Sequence, residues 1–150
     1  MFHKIIVICT GNICRSPIGE ALLGQRLAPH GIQVCSAGIA ALAHQPADPL
    51  AKLVALENGI DLSAHRGQQA SRELLTSMDL ILTMDQSHSE WIWSRFPYLR
   101  GRTHKLGRWR SDADIADPYR KPKLAFEQAF SEISDCVDDW TGRIMPPRAP

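Results

Sequence analysis

The sequence predicts an α/β protein in which a parallel β-sheet is covered by helices on both faces. Two observations predict it: short apolar runs alternate with helical patterns along the chain, and the first run, residues 5–8, is entirely β-branched. A strand that is apolar without alternation is typical of a sheet buried on both sides. Because strands that alternate with helices form βαβ units, we expect the strands to run parallel. The 150 residues suffice for one such domain.

The first predicted strand, residues 5–8, is followed by a helix and then by a second strand. Pro17 opens the helix, because a proline in the first turn removes only an N–H that has no partner there. The helical pattern ends near Pro29 and Gly31, and the second short strand covers residues 32–35.

A helix with clear end signals follows the second strand. Asp48 is the predicted N-cap, Pro49 occupies the first turn, and Gly59 lies where a left-handed C-terminal cap is favoured. A short helix over residues 72–75 then leads to the third strand, residues 80–82.

The last part of the chain contains two helices, the fourth strand and a tail. Asp85 is predicted to cap a helix over residues 86–95, which Pro97 stops, and residues 103–106 form the fourth strand. The final helix is amphipathic, since its apolar residues alternate spacings of four and three. These residues are Phe126, Phe130, Ile133, Val137, Trp140 and Ile144. The proline-rich residues 146–150 cannot continue it and are predicted to be disordered.

Charge and hydropathy exclude several function classes. The chain carries 17 Lys and Arg against 16 Asp and Glu, whereas a nucleic-acid-binding protein usually has a strong basic excess. No apolar run approaches the roughly 18 residues of a membrane span, and the N-terminal apolar run is too short for the core of a signal peptide. We therefore expect a cytoplasmic protein that binds no nucleic acid and is not embedded in a membrane.

The four cysteines, Cys9, Cys14, Cys35 and Cys136, do not follow the pattern of a disulfide or zinc framework. A cytoplasmic chain with an ample core rarely uses structural disulfides, and a zinc site requires two close pairs or supporting histidines. Only Cys9 and Cys14 are close in sequence. We therefore expect no metal and no cofactor.

The segment between the first strand and the first helix carries the chemistry. It reads Cys-Thr-Gly-Asn-Ile-Cys-Arg-Ser-Pro over residues 9–17. A loop that enters a helix N-terminus points backbone N–H groups inward and binds an anion the size of phosphate. Gly11 and Asn12 tolerate the left-handed backbone of a tight cradle, and Arg15 can bind two phosphate oxygens at once.

Cys9 is the predicted nucleophile of this loop. Amide donors, a helix N-terminus and the Arg15 guanidinium each stabilise a thiolate over a thiol, and Ser16 can donate a further hydrogen bond to the sulfur. The sulfur would lie below a bound tetrahedral anion, an arrangement that suits phosphoryl transfer to cysteine without a metal. The alternative, that Cys9 and Cys14 are merely small buried apolar residues, does not explain the arginine six positions after Cys9.

Residues 9–17 resemble the signature of the low-molecular-weight protein tyrosine phosphatases, and the resemblance extends over about residues 3–145. Ser36-Ala37-Gly38 resembles the second loop of that family, residues 79–85 resemble its third-strand segment, and Asp117-Pro118-Tyr119 resembles its late Asp-Pro-Tyr motif. The resemblance implies a single-domain, three-layer α/β sandwich with a four-stranded parallel sheet in the order 2-1-3-4.

The resemblance also implies one phosphatase domain over residues 1–145 and the roles of individual residues. Cys9 is the expected nucleophile, Arg15 binds phosphate and the transition state, and Asp117 is the general acid that later activates water. The expected substrate-binding and phosphate-binding residues are Thr10, Gly11, Asn12, Ile13, Cys14, Ser16, Leu42 and Tyr119. The residues expected to hold the shape of the loop are Asn12, Ser36, His65 and Asp85.

The substrate is suggested by one departure from the broader family and by the resemblance to one of its branches. An aromatic residue often follows the Ser36 loop, where this chain has Leu42, so Tyr119 is the main aromatic side chain expected near the pocket. Residues 36–42 and 117–121 resemble the bacterial branch linked to capsule and exopolysaccharide export. That branch implies a phosphotyrosine protein substrate, the cytoplasmic tail of a membrane tyrosine autokinase, and we expect a monomeric enzyme.

Two other functions stay open at this point. Arsenate reduction uses the same anion loop on this fold, but it requires resolving cysteines in the middle of the chain, and none lies between Cys35 and Cys136. A non-catalytic phosphotyrosine-binding module is expected to have lost Cys9, Arg15 or Asp117, and all three are present.

Two features have alternative interpretations. Residues 95–110 are basic and contain no acidic residue, which indicates either a solvated face or a docking surface for an acidic, phosphorylated partner segment. Cys14 either packs under the loop or forms a reversible disulfide with oxidised Cys9.

Overall fold

The computed structural model describes residues 2–145, and its centre is a four-stranded parallel sheet. The strands are β1 (Lys4–Cys9), β2 (Gln33–Gly38), β3 (Leu80–Thr83) and β4 (Thr103–Lys105). Their order across the sheet is β2-β1-β3-β4, and each neighbouring pair is parallel. The predicted fold class and strand order are therefore confirmed. The tail predicted over residues 146–150 lies outside the described residues.

Helices cover both faces of the sheet. They are α1 (Arg15–Leu27), α2 (Pro49–Glu57), α3 (Arg72–Thr76), α4 (Gln86–Arg95) and α5 (Lys123–Ile144). Single 3₁₀ segments cover Ala28–His30 and Pro97–Arg102. No helix within residues 2–145 is both long and apolar enough to cross a membrane.

The continuous apolar run in β1 is buried on both sides, as its composition predicts. Ile5 and Val7 pack in the layer formed with α1, α2 and α5, whereas Ile6 and Ile8 pack against α3, α4 and the second 3₁₀ segment. All four side chains are completely buried. Burial of one such side chain stabilises the fold by roughly 1.5–3 kcal/mol, so β1 holds the two helical layers together.

The ends of the helices follow the predicted caps, with one exception. The Asp48 carboxylate accepts a hydrogen bond from the Leu50 N–H at 2.8 Å, and Gly59 has a φ of +79°. The predicted start of α1 at Pro17 is wrong, because the helix begins at Arg15. A proline is tolerated throughout the first turn, where no N–H has an intrahelical partner, so it does not mark the first helical residue.

The second strand is longer than predicted. It continues to Gly38 because its pairing with β1 continues to the last residue of that strand, Cys9 opposite Gly38. In this order β2 and β3 pair with opposite edges of β1, so the connections that follow β1 and β2 run in opposite directions across the sheet. Ligands bind at such a switch point, beyond the carboxyl ends of the strands. The fold therefore places the segments after Cys9 and after Thr83 at the expected ligand site.

Candidate active site

A cavity of about 170 Å³ lies beyond the carboxyl end of β1. Its lining consists of Cys9, Thr10, Gly11, Ile13, Cys14, Arg15, Ala40, Leu42, Asp117 and Tyr119. All of these except Ala40 are among the site residues that the sequence predicts. Leu42 and Tyr119 are 44% and 40% exposed and form the rim, whereas Cys9 is only 2% exposed. The cavity therefore has a polar, buried end and an apolar, aromatic opening.

Asn12 does not line the cavity but holds the loop from behind. It is completely buried and has a φ of +58°, the left-handed backbone expected of a tight cradle. Its Nδ2 donates to Ser16 Oγ at 2.7 Å and to Ser36 Oγ at 2.9 Å. Its Oδ1 accepts from the Gln68 N–H at 2.9 Å, and its carbonyl oxygen lies 2.6 Å from His65 Nε2. Asn12 thus connects the start of α1 with two distant segments, β2 and residues 65–68.

The Cys9 sulfur lies at the end of a directed chain of hydrogen bonds. Ser16 Oγ is 2.8 Å from Cys9 Sγ. Because Ser16 Oγ accepts from Asn12 Nδ2, its own proton is available to donate to the sulfur. Ser36 Oγ similarly accepts from Asn12 and donates to Glu20 Oε1 at 2.7 Å. Glu20 was missed by the sequence reasoning, although its position four residues after Ser16 places both on one face of α1.

The two terminal nitrogens of the Arg15 guanidinium have different surroundings: Nη1 binds buried protein groups, and Nη2 lies at the cavity. The residue is 2% exposed. Its Nη1 donates to Asp85 Oδ2 at 2.8 Å and to the Ile115 carbonyl at 2.7 Å. Its Nη2 lies 3.4 Å from Thr10 Oγ1 and 3.6 Å from Asp117 Oδ2, beside residues that line the cavity. This Nη2 is therefore placed to contact an anion bound in the loop.

Asp85 supplies the negative charge that compensates Arg15. It follows β3 and also caps α4, since Oδ1 accepts from the Ser87 N–H at 3.0 Å. Burial raises the pKa of Asp85, but hydrogen bonds from Ser87 and Arg15 outweigh burial and hold the pKa below its usual value. The carboxylate is therefore ionised at neutral pH, and the buried guanidinium keeps its partner.

Asp117 lies at the mouth of the cavity, on the loop between β4 and α5. Its side chain is 46% exposed. Oδ1 accepts a hydrogen bond from the Tyr119 N–H at 3.0 Å, a turn that positions the carboxyl group. Oδ2 lies 3.6 Å from Arg15 Nη2. The carboxyl group is therefore placed to exchange a proton with a leaving group on the solvent side of a bound anion.

The other cysteines differ in their environment from Cys9. Cys14 is buried in the cavity wall, and burial, reinforced by the negative charge of Asp48, raises its pKa. Burial also raises the pKa of Cys35 and of Cys136 to about 11, so both remain thiols at neutral pH. Within the part of the chain that the structure describes, no group of three or more His, Cys, Asp or Glu side chains could hold a metal ion.

Basic residues of the stretch 95–110 form ion pairs with aspartates that lie outside this stretch in the sequence. Lys105 pairs with Asp112 at 3.4 Å and with Asp114 at 3.0 Å. Arg110 pairs with Asp139 of α5 at 2.8 Å. Other arginines of the stretch lie over tryptophan rings instead; these pairs are Arg95 with Trp91, Arg100 with Trp93 and Arg108 with Trp109. Part of the predicted positive surface is therefore neutralised by the fold.

Known proteins are similar to this chain in both sequence and structure. A family model for the low molecular weight phosphotyrosine protein phosphatases matches residues 4–146. A probable low molecular weight protein-tyrosine-phosphatase, EpsP of Ralstonia nicotianae, is 49% identical over 144 residues, 96% of this chain and 97% of that protein. The low molecular weight protein-tyrosine-phosphatase Etp of Escherichia coli is 41% identical over 143 residues, 95% of each chain. Wzb of Vibrio vulnificus in complex with benzylphosphonate has a TM-score of 0.91 at 42% identity, covering 95% of this chain and 99% of that one.

Proposed function

The chain belongs to the low molecular weight phosphotyrosine protein phosphatase family and is a protein-tyrosine phosphatase, and we propose that it acts through a phosphocysteine formed on Cys9. Arg15 binds the phosphoryl group and its transition state, and Asp117 is the general acid and then the general base. The observation that carries the proposal is the convergence of these three side chains on one cavity of about 170 Å³.

In the first step the phosphoryl group moves from the tyrosine to the sulfur. The Cys9 thiolate attacks phosphorus, so that the S–P bond forms while the bond between phosphorus and the phenolic oxygen breaks. Asp117, in its carboxylic acid form, gives its proton to that oxygen, and tyrosine leaves as the neutral phenol. Arg15 Nη2 and the backbone N–H groups of the loop stabilise the charge on the remaining phosphoryl oxygens.

In the second step water hydrolyses the phosphocysteine. The Asp117 carboxylate takes a proton from the water as its oxygen attacks phosphorus, and the S–P bond breaks. Inorganic phosphate leaves and Cys9 returns to the thiolate. The hydroxyl proton of Ser16, 2.8 Å from the sulfur, stabilises this leaving thiolate, so the same hydrogen bond assists both the attack and the departure.

The shape of the cavity supports an aryl phosphate as the substrate. Leu42 and Tyr119 are exposed at the rim, where they can contact the two faces of a phenyl ring. Cys9 is buried at the other end, so phosphorus must extend well beyond the peptide backbone to reach it. The phosphotyrosine side chain has this length and phosphoserine does not. The Vibrio vulnificus relative has been solved with benzylphosphonate, a compound of the same shape.

The proposed physiological substrate is the cytoplasmic, tyrosine-phosphorylated tail of a membrane tyrosine autokinase that controls exopolysaccharide production. The likeness of residues 36–42 and 117–121 to the bacterial branch and the 49% identity with EpsP support this assignment. It predicts that the purified enzyme, a cytoplasmic monomer, removes phosphate from the autokinase tail faster than from unrelated phosphotyrosine peptides. Equal rates on both would contradict the assignment.

Two substitutions test the mechanism. Cys9→Ser is expected to abolish hydrolysis of an aryl phosphate while inorganic phosphate still binds, because the loop donors remain. Asp117→Asn is expected to lower kcat/KM, which reports the first step, about 100-fold for phenyl phosphate and far less for a nitrophenyl phosphate, whose leaving group needs no proton. Cys35→Ser, at a partly buried position outside the cavity lining, is the matched control and should retain activity. Hydrolysis by Cys9→Ser, or equal losses on both substrates, would contradict the assigned roles.

The rival functions are separated in the same assay. Phosphotyrosine, phosphoserine and arsenate are compared side by side under identical conditions. Thiol-dependent arsenate turnover that exceeds phosphatase turnover would favour arsenate reduction. Tight phosphopeptide binding without turnover by the unaltered protein would favour a binding module.

A further inference from the structure

His88 is a completely buried histidine that the proposed mechanism does not use. It lies in the first turn of α4, between the residue that caps this helix and the anion loop. The backbone N–H of Asp85 donates to His88 Nδ1 at 3.1 Å. On the other side of the ring, His88 Nε2 is 2.9 Å from Thr10 Oγ1. The imidazole therefore connects the end of β3 to the loop that follows β1.

These two contacts determine which ring nitrogen carries the proton. A backbone N–H can only donate, so His88 Nδ1 must be the acceptor and carries no proton. In a neutral imidazole the proton is then on Nε2, which donates to Thr10 Oγ1. The Asp85 backbone thus selects the tautomer that points a donor at the loop.

Burial keeps the ring neutral against most of the charges around it. Burial lowers the pKa of His88 to about 4. The carboxylate of Asp85 on the same element opposes this change, Arg15 of α1 reinforces it, and Asp117 and Asp114 of the loop after β4 oppose it. The outcome at neutral pH is an uncharged donor rather than a cation.

The Thr10 hydroxyl receives two donors and has one proton left to give. Its oxygen accepts from His88 Nε2 and, at 3.4 Å, from Arg15 Nη2. With both lone pairs occupied, the hydroxyl proton must point away from these groups. Among the described residues no protein acceptor for this proton lies within hydrogen-bond distance of Thr10 Oγ1, and Thr10 lines the cavity.

We propose that His88 is a positioning residue that acts through Thr10: it directs the Thr10 hydroxyl proton into the cavity, where the hydroxyl donates to an oxygen of the bound aryl phosphate. The inference rests on the proposed function, because it assigns this donor to the same substrate. Thr10 thereby adds a side-chain donor to the backbone N–H groups of the loop. A threonine whose hydroxyl rotated freely would hold its proton in this direction only part of the time.

Two substitutions of His88 separate the helix cap from the contact with Thr10. In His88→Asn, the amide oxygen lies near the position of Nδ1 and still accepts from the Asp85 N–H, but the side chain is too short to reach Thr10. In His88→Gln, the amide nitrogen reaches the position of Nε2 and still donates to Thr10. Thr10→Val removes the hydroxyl with little change in volume. His104→Gln, at a half-buried histidine of β4 outside the cavity lining, is the control.

The expected results distinguish positioning from folding. Thr10→Val and His88→Asn each lower kcat/KM for an aryl phosphate about 10-fold and weaken inhibition by inorganic phosphate by a similar factor. The double variant loses no more than either single variant, because both remove the same hydrogen bond. His88→Gln retains most of the activity, and His104→Gln behaves as the unaltered protein. In ¹⁵N NMR spectra of the unaltered protein, His88 shows the neutral Nε2–H tautomer between about pH 6 and pH 8.

Several results would overturn the inference. They are unchanged kcat/KM and phosphate inhibition in a folded Thr10→Val, fully additive losses in the double variant, or an Nδ1–H tautomer of His88. The NMR measurement and Thr10→Val decide the matter even if a His88 variant fails to fold. Failure of the proposed function has a different signature: the unaltered protein would not hydrolyse aryl phosphates, or Cys9→Ser would remain active.

Discussion

Replacing Asn12 by alanine and by glycine separates the two ways in which this residue holds the anion loop. Asn12 is completely buried and has a φ of +58°. Its side chain donates to Ser16 and to Ser36 and accepts from the Gln68 backbone. Both substitutions remove these three hydrogen bonds. Alanine keeps a Cβ atom in the left-handed region, whereas glycine has none.

The magnitudes follow from these contacts. A hydrogen bond contributes about 1 kcal/mol to stability, so either substitution of Asn12 lowers the free energy of unfolding by about 3 kcal/mol. A left-handed backbone costs alanine about 1–2 kcal/mol, while the greater freedom of glycine in the unfolded chain offsets part of its advantage. We expect losses of about 4 kcal/mol for Asn12→Ala and about 3 kcal/mol for Asn12→Gly.

Urea denaturation of the two variants measures this difference, with the slope m compared to exclude a change in the unfolded state. Asn58→Ala is the control: among residues 2–145 the Asn58 side chain makes one hydrogen bond, to the Val54 carbonyl at 2.8 Å, and its loss should cost about 1 kcal/mol. Equal losses for alanine and glycine at position 12 would refute the argument from backbone strain. Losses below those of Asn58→Ala would refute the argument from the hydrogen bonds.

Two further predictions concern the support of the loop. In Gly38→Ala the new Cβ would lie 2.4 Å from the Thr10 carbonyl oxygen, so the loop must shift and kcat/KM should fall about 100-fold. Gly24→Ala on α1, where a Cβ meets open space, should leave kinetics unaltered, and a fully active Gly38→Ala would contradict the close approach. The hydrogen bonds from Ser87 and Arg15 that lower the pKa of Asp85 stabilise the fold above the unfolded pKa of about 3.9. This contribution is lost as the pH falls through the lower pKa that Asp85 has in the folded state. In acid titrations followed by circular dichroism, Asp85→Asn should abolish that part of the pH dependence. An unchanged acid transition in this variant would count against the argument from Asp85.

Local patterns in the sequence were sufficient to find the strands and helices and the loop, but not every end of an element. The apolar run of β1 was recognisable because both faces of a central parallel strand are buried. The caps at Asp48 and Asp85 were recognisable because a cap acts on residues two or three positions away. Residues 9–17 are contiguous, so the anion cradle could be read without knowing what surrounds it.

Residues that meet across the fold were accessible only through the family resemblance or not at all. Ser36 and His65 contact Asn12 from 24 and 53 residues away in the sequence. No local sequence pattern indicates a contact between residues so far apart. The Ile115 carbonyl, which binds Arg15 from 100 residues away, leaves no side-chain signal because any residue has a carbonyl group. His88 did have a local signal, since its spacing of three from Asp85 is that of a capping box.

By itself the sequence determined the alternation of strands and helices, the order of the motifs and the chemical character of the loop, because these depend on neighbours within one or two turns. Only the tertiary structure decided which charges are paired. Lys105 and Arg110 belong to a stretch without acidic residues, yet both are neutralised by aspartates that the fold brings beside them. Arg15 likewise keeps one nitrogen at the cavity because Asp85 binds the other. Ion pairs require contact within about 4 Å, and contact between distant residues is created by packing rather than by sequence spacing.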